Sequence, residues 1–345
     1  MFCPECGSTT NKMLDDVCIN CFLKDFHMLT IPEKIEINIC THCNGKLDMG
    51  KWEYNDIPIE EIIYCTLESN IKVDKLVEDE IIDLEINKVR GKISECIVAI
   101  KGKVFNKQLE EEHDVLVKIN KTVCPNCSKQ NSGYYEAVIQ FRADSREPTS
   151  KELKKADEVV ISTLNNLFNK DRLAYLVEIA KPKEGHDYYI GSYKSSKKVL
   201  KQLKDVFGGI TKESPRLISE DKSTGKGLYR IWISFRIPQF KTDDFVKFQD
   251  KIAQVKSIGS SKIQCYDLGK SKLFSIPFKD YENISLIKTK KNIEKTNIIS
   301  RTPKKIQILD PYDYDVVDLD INDAKLNIGD EIDIVKIENK IYFVR

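Results

Sequence analysis

The sequence predicts a multidomain α+β protein, in which a cysteine-rich N-terminal domain precedes a small α/β sandwich and two β-barrels. Three observations support this fold class. Every Cys-x-x-Cys pair lies within the first 127 of the 345 residues. Residues 149–237 alternate helical and extended patterns, whereas residues 238–345 show short alternating runs between turn residues. Because a chain of this length exceeds one small core, several domains are expected.

The cysteine-rich domain is defined by four Cys-x-x-Cys pairs, at Cys3/Cys6, Cys18/Cys21, Cys40/Cys43 and Cys124/Cys127. Each pair turns two thiolates toward one point, and two such pairs complete the four-sulfur shell that suits Zn²⁺. We therefore expect two structural Zn²⁺ sites, with the first pair joined to the second and the third to the fourth. An interleaved pairing stays open. The same cysteines could instead form disulfides, redox-active pairs or iron–sulfur clusters.

The spacing of the pairs also predicts the organisation of the N-terminal domain, residues 1–148. A helix predicted over Phe22–Leu29, directly after Cys21, gives the first site the character of a zinc ribbon or treble clef. The 80 residues between the third and fourth pairs predict an inserted sub-domain, residues 44–123. Within it, alternation and helical spacing predict a helix at Pro58–Ser69 and strands at Ile81–Ile86, Cys96–Val104 and Val115–Ile119.

The alternation of helical and extended patterns over residues 149–237 predicts an α/β domain. Thr149 and Glu152 fit a capping box at the start of one helix. A second helix is predicted from Ser192 to Phe207, where two glycines end it. Strands are predicted at Leu173–Ile179, Ile210–Ile218 and Gly227–Ile237.

The remaining chain predicts an SH3-like barrel over residues 238–290 and an OB-like β domain over residues 291–345. The boundary between them is not fixed by the sequence to within several residues. The alternating runs that support these barrels are Phe245–Phe248, Lys262–Tyr266, Lys272–Phe278, Lys305–Leu309 and Glu331–Val335.

A formal net charge of +1 conceals a strong division along the chain. Residues 1–128 carry 15 Lys/Arg against 23 Asp/Glu, and residues 306–345 carry 4 against 10. The middle, residues 129–305, carries 36 against 21 and is therefore strongly basic. This pattern favours a polyanionic partner for the middle domains, with a merely solvated lysine-rich surface as the alternative.

The helix predicted from Ser192 carries the sharpest basic pattern, because its lysines share one face opposite an apolar face. A row of ammonium groups can follow a phosphate backbone without reading bases. Tyr188, Tyr189 and Tyr193 lie beside it and could stack bases, although alternation places at least one in the core. The candidate RNA-binding residues are Lys194, Lys197, Lys198, Lys201, Lys204, Arg142, Arg216, Lys226 and Arg230.

The sequence also excludes several classes of function. No apolar run reaches the length of about 18 residues that a membrane span needs, and the start lacks a signal-peptide pattern, so a cytoplasmic location without membrane contact is expected. The four histidines have no partner motif, and no nucleophile elbow occurs. We therefore expect neither an enzyme nor a small-molecule substrate.

These residues together resemble a known family, the archaeal counterparts of the eukaryotic large-subunit nuclear export adaptor (the NMD-three family). The four Cys-x-x-Cys pairs show that family's long gap before the last, and Trp52 follows the third pair. The string Gly133–Arg142 after the fourth pair looks like the family's signature. Similar strings occur at Asp187–Ser192 and from Tyr229 to Pro238.

The resemblance implies a non-enzymatic factor in ribosome biogenesis, quality control and translation, which binds rRNA and proteins of the large ribosomal subunit. Such a factor would occupy the joining face and tRNA sites, reach toward the L1 stalk region and block subunit association. Its α/β domain would be like a ribosomal protein. Because the sequence ends at Arg345, the export region of eukaryotic members is not expected. The alternatives are a zinc-containing RNA-modifying enzyme that acts on rRNA or tRNA and a transcription-associated zinc-ribbon protein.

Overall fold

The computed structural model describes residues 2–9, 13–54, 57–220, 225, 227–320 and 326–344. The chain divides into two compact units, Met1–Lys129 and Gln130–Arg345. Over the described residues the structure is mostly β, with few helices. The β-rich character that the alternating runs predict is therefore confirmed.

The first unit contains short strands around its first two cysteine pairs and three long strands later. Its strands and helices are β1 (Met13–Leu14), β2 (Val17–Cys18), α1 (Ile19–Phe22), β3 (Leu29–Thr30), β4 (Lys34–Cys40), β5 (Lys46–Asp48), β6 (Lys51–Glu53), α2 (Ile59–Asn70), β7 (Lys72–Val73), β8 (Glu78–Arg90), β9 (Ile93–Val104) and β10 (Lys107–Thr122), and the helix α3 (Pro125–Asn131) follows.

A six-stranded sheet in the order β6-β5-β4-β10-β9-β8 forms the body of this unit. Buried and exposed residues alternate along β9, so one face of the sheet is apolar. Helix α2 supplies Ile62, Ile63 and Leu67 to the same core as Val98 and Ile100. The predicted helix over residues 58–69 and the three predicted strands of the sub-domain are confirmed.

The parallel pairing of β4 with β10 determines where the sub-domain begins and ends. Cys40 is opposite Thr122 in this register, and the N–H of Thr41 donates to the carbonyl oxygen of Thr122 at 2.9 Å. The carboxyl ends of parallel strands meet at one edge of a sheet. The third and fourth cysteine pairs follow these two strand ends, so the sheet itself brings them together.

The helix predicted over Phe22–Leu29 is wrong. Helix α1 ends at Phe22, and Leu29 begins β3 instead. Contacts distant in sequence decide this, because the N–H of Met28 donates to the Glu111 carboxylate at 2.7 Å, and Met28 and Leu29 are buried in the core of the large sheet. Tertiary packing outweighs the local helical pattern here.

The second unit begins with a five-stranded sheet in the order β12-β13-β11-β15-β14, in which only β11 and β15 are parallel. Two helices and five strands build this part, namely β11 (Ala137–Ala143), α4 (Ser150–Phe168), β12 (Leu176–Ala180), β13 (His186–Ile190), α5 (Tyr193–Phe207), β14 (Ile210–Glu220) and β15 (Gly227–Ile237). The predicted capping box is present, since Thr149 and Glu152 exchange side-chain and backbone hydrogen bonds. The prediction that α5 stops at the glycines is also confirmed.

Both helices pack on one face of this sheet. Val160 of α4 and Leu203 of α5 share a core with Ile139, Phe141 and Phe235 of the strands. A domain boundary at residue 148 would cut β11 from this sheet, although β11 is hydrogen-bonded to both β13 and β15. The sequence assigned these residues to the cysteine domain because they closely follow the fourth pair.

Two further five-stranded antiparallel sheets complete the second unit, in the orders β19-β18-β17-β16-β20 and β23-β22-β21-β24-β25. The change of sheet falls between Lys288 and Glu294. The strands are β16 (Phe245–Phe248), β17 (Lys251–Ile258), β18 (Lys262–Asp267), β19 (Lys272–Pro277), β20 (Ile284–Lys288), β21 (Glu294–Arg301), β22 (Lys305–Leu309), β23 (Val316–Asp320), β24 (Glu331–Ile337) and β25 (Lys340–Phe343), with short 3₁₀ turns at Phe278–Asn283 and Lys290–Asn292.

A partly buried ion pair fixes the start of α4 against the chain that enters the next sheet. Arg146 donates to both Glu152 carboxylate oxygens, at 2.8 and 2.9 Å, and also to the carbonyl oxygens of Pro238 and Gln239. Burial acts to raise the pKa of Glu152, but Arg146 and Thr149 outweigh it and lower that pKa to about 2. The charged carboxylate is thus the form that the fold stabilises.

Replacing Glu152 with glutamine should lower the free energy of unfolding by roughly 1–3 kcal/mol at pH 7, because Arg146 loses its charged partner. Glu152 has a lowered pKa in the folded chain, so its contribution is complete above the ordinary pKa near 4.5 and is lost as the pH falls through about 2. Urea unfolding followed by Trp232 fluorescence in a Trp52→Phe background measures this. Glu158→Gln on the same helix is the control, and an equal cost at pH 7 and near pH 2 would contradict the assignment.

Candidate metal centres and nucleic-acid interface

The first cysteine tetrad contains Cys3, Cys6, Cys18 and Cys21, whose sulfur atoms all lie within 4.8 Å of one another. The first pair sits on a tight turn, in which the N–H of Gly7 donates to the carbonyl oxygen of Cys3 at 3.0 Å and Gly7 adopts a left-handed φ of 72°. The second pair spans the end of β2 and the single turn of α1. Met13 and Val17 pack against this small cysteine core.

Backbone N–H groups favour the thiolate form of two of these cysteines. The pKa of Cys18 falls to about 6, chiefly because the N–H of Cys21 donates to its sulfur. The N–H of Cys18 lies 3.3 Å from the sulfur of Cys3 and lowers that pKa as well. Hydrogen bonding to Cys6 raises the pKa of Cys21. A bound cation would favour the thiolate form of all four sulfurs.

The second tetrad contains Cys40, Cys43, Cys124 and Cys127, again with all sulfurs within 4.8 Å. Cys40 ends β4, and Cys124 follows β10 two residues after its end. The N–H of Cys124 donates to the sulfur of Cys40 at 3.3 Å. The sequential pairing of the four Cys-x-x-Cys pairs is thus the one that the structure brings together.

The surroundings of the second tetrad are tightly packed. A Cβ atom at Gly45 would lie 3.3 Å from the sulfur of Cys43 and 3.0 Å from the Tyr54 ring. The Asn126 side chain donates to the Tyr54 hydroxyl at 2.9 Å, which ties the fourth pair to the strand region after the third. Burial acts to raise the pKa of Cys40, but N–H donors from Cys124, His42 and Cys43 bring it down to about 6. The protein thus stabilises a thiolate here too.

Each tetrad offers four sulfur donors and could hold one metal ion. Such a shell is complete, because a four-coordinate ion bound by four thiolates has no open position for water or substrate. The arrangement therefore suits a structural role. The other three cysteines lie elsewhere: Cys65 is exposed on α2, and Cys96 and Cys265 are buried in the strands β9 and β18.

The lysines predicted to bind RNA lie along α5 as the sequence indicates. Lys194, Lys197, Lys198 and Lys201 are exposed, and Lys204 is half-buried. Lys197 is paired with Glu213 on β14, and its ammonium group lies 5.2 Å from the centre of the Tyr193 ring. Lys194, Lys198 and Lys201 have no ion pair to a described residue, so their charges are not compensated by a neighbouring carboxylate.

The predicted arginines fall into different environments. Arg142 is only 14% exposed and pairs with Asp187 at 2.6 Å, so its charge is compensated within the sheet. Its contact with RNA stays a prediction. Arg216 is exposed and lies over the Trp232 ring, and Arg230 lies over the Tyr135 ring. Lys226 lies outside the described residues.

The three tyrosines also separate. Tyr188 is fully buried and donates to Asp157 at 2.7 Å, which confirms that one of them is a core residue. Tyr193 donates to Glu213. Tyr189 lies on the sheet face opposite the helices, 5.0 Å from Tyr135 between ring centres. Sequence reasoning missed Tyr135 and Trp232, although the alternation of Arg230, Trp232, Ser234 and Arg236 along β15 is a signal for a second polar face.

The described residues contain no helix that is long and apolar enough to cross a membrane.

Two sulfur tetrads that could each hold a metal ion, followed by a sheet with a basic helical layer, define the class of this protein. Two family models match the chain in succession, the NMD3 N-terminal domain over residues 3–132 and the NMD3 second domain over residues 134–237. Together they cover more than half of the chain, which therefore belongs to the NMD3 family.

Several curated proteins of the same family are similar to this chain, although the sequence identity is low. The 60S ribosomal export protein nmd3 of Schizosaccharomyces pombe is 23% identical over 282 residues, which cover 80% of this chain and 54% of the relative. The human and Saccharomyces cerevisiae NMD3 proteins are 23% and 21% identical and cover 77% and 80% of this chain. The chain spans about half the length of the curated relatives it matches. None of these names describes an enzyme.

One solved structure, a eukaryotic translation initiation factor 5A from Methanococcus jannaschii, covers 31% of this chain and 89% of its own. The sequence identity is 16% and the TM-score is 0.21, so the likeness is weak.

Proposed function

We propose that this chain is a non-enzymatic factor that binds the large ribosomal subunit in the cytoplasm and acts in its biogenesis or quality control. It would cover the joining face and tRNA sites, contact rRNA and ribosomal proteins as far as the L1 stalk region, and prevent association with the small subunit. The observation that carries this proposal is the successive match of two NMD3 family models over residues 3–237. Relatives in the family are named 60S ribosomal export proteins.

The two tetrads would hold Zn²⁺ as structural ions. With zinc–sulfur bonds of about 2.3 Å, a tetrahedral site separates its sulfurs by about 3.8 Å. The Cys6–Cys18 and Cys43–Cys124 sulfur distances of 3.6 and 3.8 Å agree with that spacing. A multi-iron cluster would keep the same ligands farther apart. The eight tetrad cysteines are therefore proposed as zinc ligands, and Zn²⁺ would stabilise the fold without taking part in chemistry.

The domains would divide this work. We propose a zinc-binding domain that ends before β11, with residues 44–123 inserted, followed by a ribosomal-protein-like α/β domain that ends near residue 237. An SH3-like barrel over residues 238–290 and an OB-like domain over residues 291–345 would follow. Each of the two antiparallel five-stranded sheets has an apolar core of its own, which supports this division. A further apolar cluster joins them, since Phe245 and Tyr266 of one sheet pack with Val335 and Ile337 of the other. The exposed lysines of α5 support rRNA backbone contacts by the second domain.

A subunit-joining assay tests the proposal. Light scattering of purified large and small subunits rises when they associate, and preincubation of the large subunit with this chain should suppress that rise at stoichiometric concentration. Preincubation with an equal amount of an unrelated protein should have no effect. Normal joining in the presence of a saturating excess of the chain would refute an anti-association role.

A further inference from the structure

The sheet of the α/β domain has a second face that no helix of that domain covers. Side chains two residues apart along a strand share a face. Ile231, Ile233 and Phe235 of β15 face the core that contains α4 and α5. Trp232 alternates with these residues along the strand and therefore lies on the opposite side of the sheet. The register places Tyr189, Val138 and Trp232 side by side across β13, β11 and β15. We call this side the open face.

Aromatic rings and arginines form one connected cluster on the open face. Tyr135, just before β11, meets Tyr189 edge-to-face at 5.0 Å and lies 6.4 Å from Trp232 between ring centres. The guanidinium of Arg230 lies 3.9 Å from the centre of the Tyr135 ring. The guanidinium of Arg216 lies 4.4 Å from the centre of the Trp232 ring. All three rings are half-buried, so each keeps part of its surface in solvent.

The open face carries several positive charges, which favour an anionic partner. Arg216 and Arg230 are directly opposite each other across β14 and β15, an arrangement in which like charges repel. Lys212 and Arg236 share this face by alternation and are exposed. Of the acidic residues that alternation places there, Asp187 is paired with Arg142, so its charge is compensated. The Glu136 carboxylate accepts hydrogen bonds from the Tyr134 hydroxyl and the N–H of Tyr193. The exposed Glu178 on β12 stands beyond Tyr189, away from the arginine pair.

We propose that the open face binds unpaired RNA bases, which stack on Tyr135, Tyr189 and Trp232 while Arg216 and Arg230 contact the adjoining phosphates. This inference rests on the proposed function, since that supplies rRNA as the partner, and it adds a contact of a different kind from the lysines of α5. Base stacking on sheet-face aromatics requires bases that are out of a duplex. A row of lysines needs only phosphates and takes a duplex equally well. The open face is therefore assigned to single-stranded or flipped-out nucleotides.

An acidic protein segment is the competing occupant, and the ring cluster argues against it. A carboxylate could pair with Arg216 or Arg230, but it would leave three adjacent aromatic rings without a partner of matching shape. The flat surfaces of nucleobases fit such rings, and every base has one. Arginine that already stacks on a ring keeps its outer N–H groups available for phosphate oxygens.

Trp232 fluorescence tests the inference in the full chain. The sequence contains two tryptophans, so Trp52→Phe leaves Trp232 as the single reporter. Titration with a ten-nucleotide oligouridylate in low salt should quench this fluorescence saturably, whereas an RNA duplex of equal length should quench it far less. Tyr135→Ala in the same background should weaken oligonucleotide binding roughly tenfold, and Tyr135→Phe, which keeps the ring, should restore it.

Charge variants separate the two surfaces. Arg216→Glu, at an exposed position, should weaken binding of the oligouridylate and lower the slope of log affinity against log salt by about 0.7. Lys198→Glu with Lys201→Glu, on the helical layer, should weaken this binding less than Arg216→Glu does and should leave the quenching at saturation unchanged. The same chains are then tested for co-sedimentation with large subunits. Variants must retain the far-ultraviolet circular dichroism of the parent, and Arg216→Glu keeps the test valid if Tyr135→Ala does not fold.

Failure of the inference and failure of the proposed function give different results. Absence of quenching by the oligouridylate, together with normal subunit binding, would overturn the open-face assignment alone. Equal quenching by duplex and single strand, or quenching by polyglutamate as strong as by RNA, would also overturn it. Specific quenching without any binding to large subunits would support the face as an RNA site and refute the ribosomal role.

Discussion

Replacing Cys124 with serine is expected to lower the zinc content from two ions to one per chain and to destabilise the first unit by about 3 kcal/mol or more. Cys124 is fully buried in the second tetrad, and its N–H donates to the sulfur of Cys40. The tetrad joins the carboxyl ends of β4 and β10, so its loss frees the two ends of the inserted sub-domain. Zinc analysis by mass spectrometry and thermal unfolding of the purified variant measure both effects.

The matched control is Cys65→Ser. Cys65 lies on α2 of the same unit and is exposed, so its replacement should change neither metal content nor unfolding temperature. Zinc content that stays at two ions in the Cys124 variant would contradict the tetrad assignment. Iron with visible absorbance in the parent protein would contradict the choice of metal.

The double substitution Lys198→Glu and Lys201→Glu is expected to weaken binding to the large subunit roughly tenfold at low salt and to reduce the salt dependence of binding. The two lysines are exposed one helical turn apart on α5, whereas the neighbouring Lys197 is already paired with Glu213. Reversing the charge at Lys197 would disturb that ion pair, so the unpaired positions give the cleaner test. Affinity is measured by titrating labelled protein with purified large subunits at several salt concentrations.

The control for net charge is Lys151→Glu with Lys154→Glu on α4. These lysines have the same three-residue spacing, so the overall charge changes by the same amount. An equal loss of affinity in both double variants would mean that α5 makes no specific contact. No loss in the α5 variant would remove this helix from the proposed interface.

The parts of the fold that the sequence predicted well depend on short-range chemistry. The capping box at Thr149 and the helix end at Gly208 each depend on a few consecutive residues, and both are present. The tight turns of the Cys-x-x-Cys pairs are equally local. The sequence therefore located the cysteines of both tetrads, although it left the pairing open.

The parts that the sequence missed depend on contacts between distant residues. The sequence favoured joining the third cysteine pair to the fourth but left an interleaved pairing open, and the parallel register of β4 with β10, some 80 residues apart, is what brings these pairs together. Helix Phe22–Leu29 failed because Glu111, far along the chain, captures the N–H of Met28. The ion pair between Arg142 and Asp187 of β13 was not predicted, because the two residues lie far apart in the sequence.

The aromatic cluster of the open face could not be predicted from the sequence either. Tyr135, Tyr189 and Trp232 are scattered over about 100 residues of sequence, and only the strand order β13-β11-β15 makes them neighbours. Alternation along β15 alone predicts a polar face but not its aromatic partners. The lysine face of α5 is predictable from the sequence, because all its lysines fall within one helix.

Co-sedimentation with purified ribosomal subunits tests the central claim most directly. The zinc-loaded chain, mixed with large or small subunits and centrifuged through a sucrose cushion at rising salt, should pellet with large subunits at about one copy per particle and leave them as the salt concentration increases. Small subunits should pellet without it. A chain that stays in the supernatant with large subunits even at low salt, or that pellets equally with both subunits, would contradict a role as a large-subunit factor.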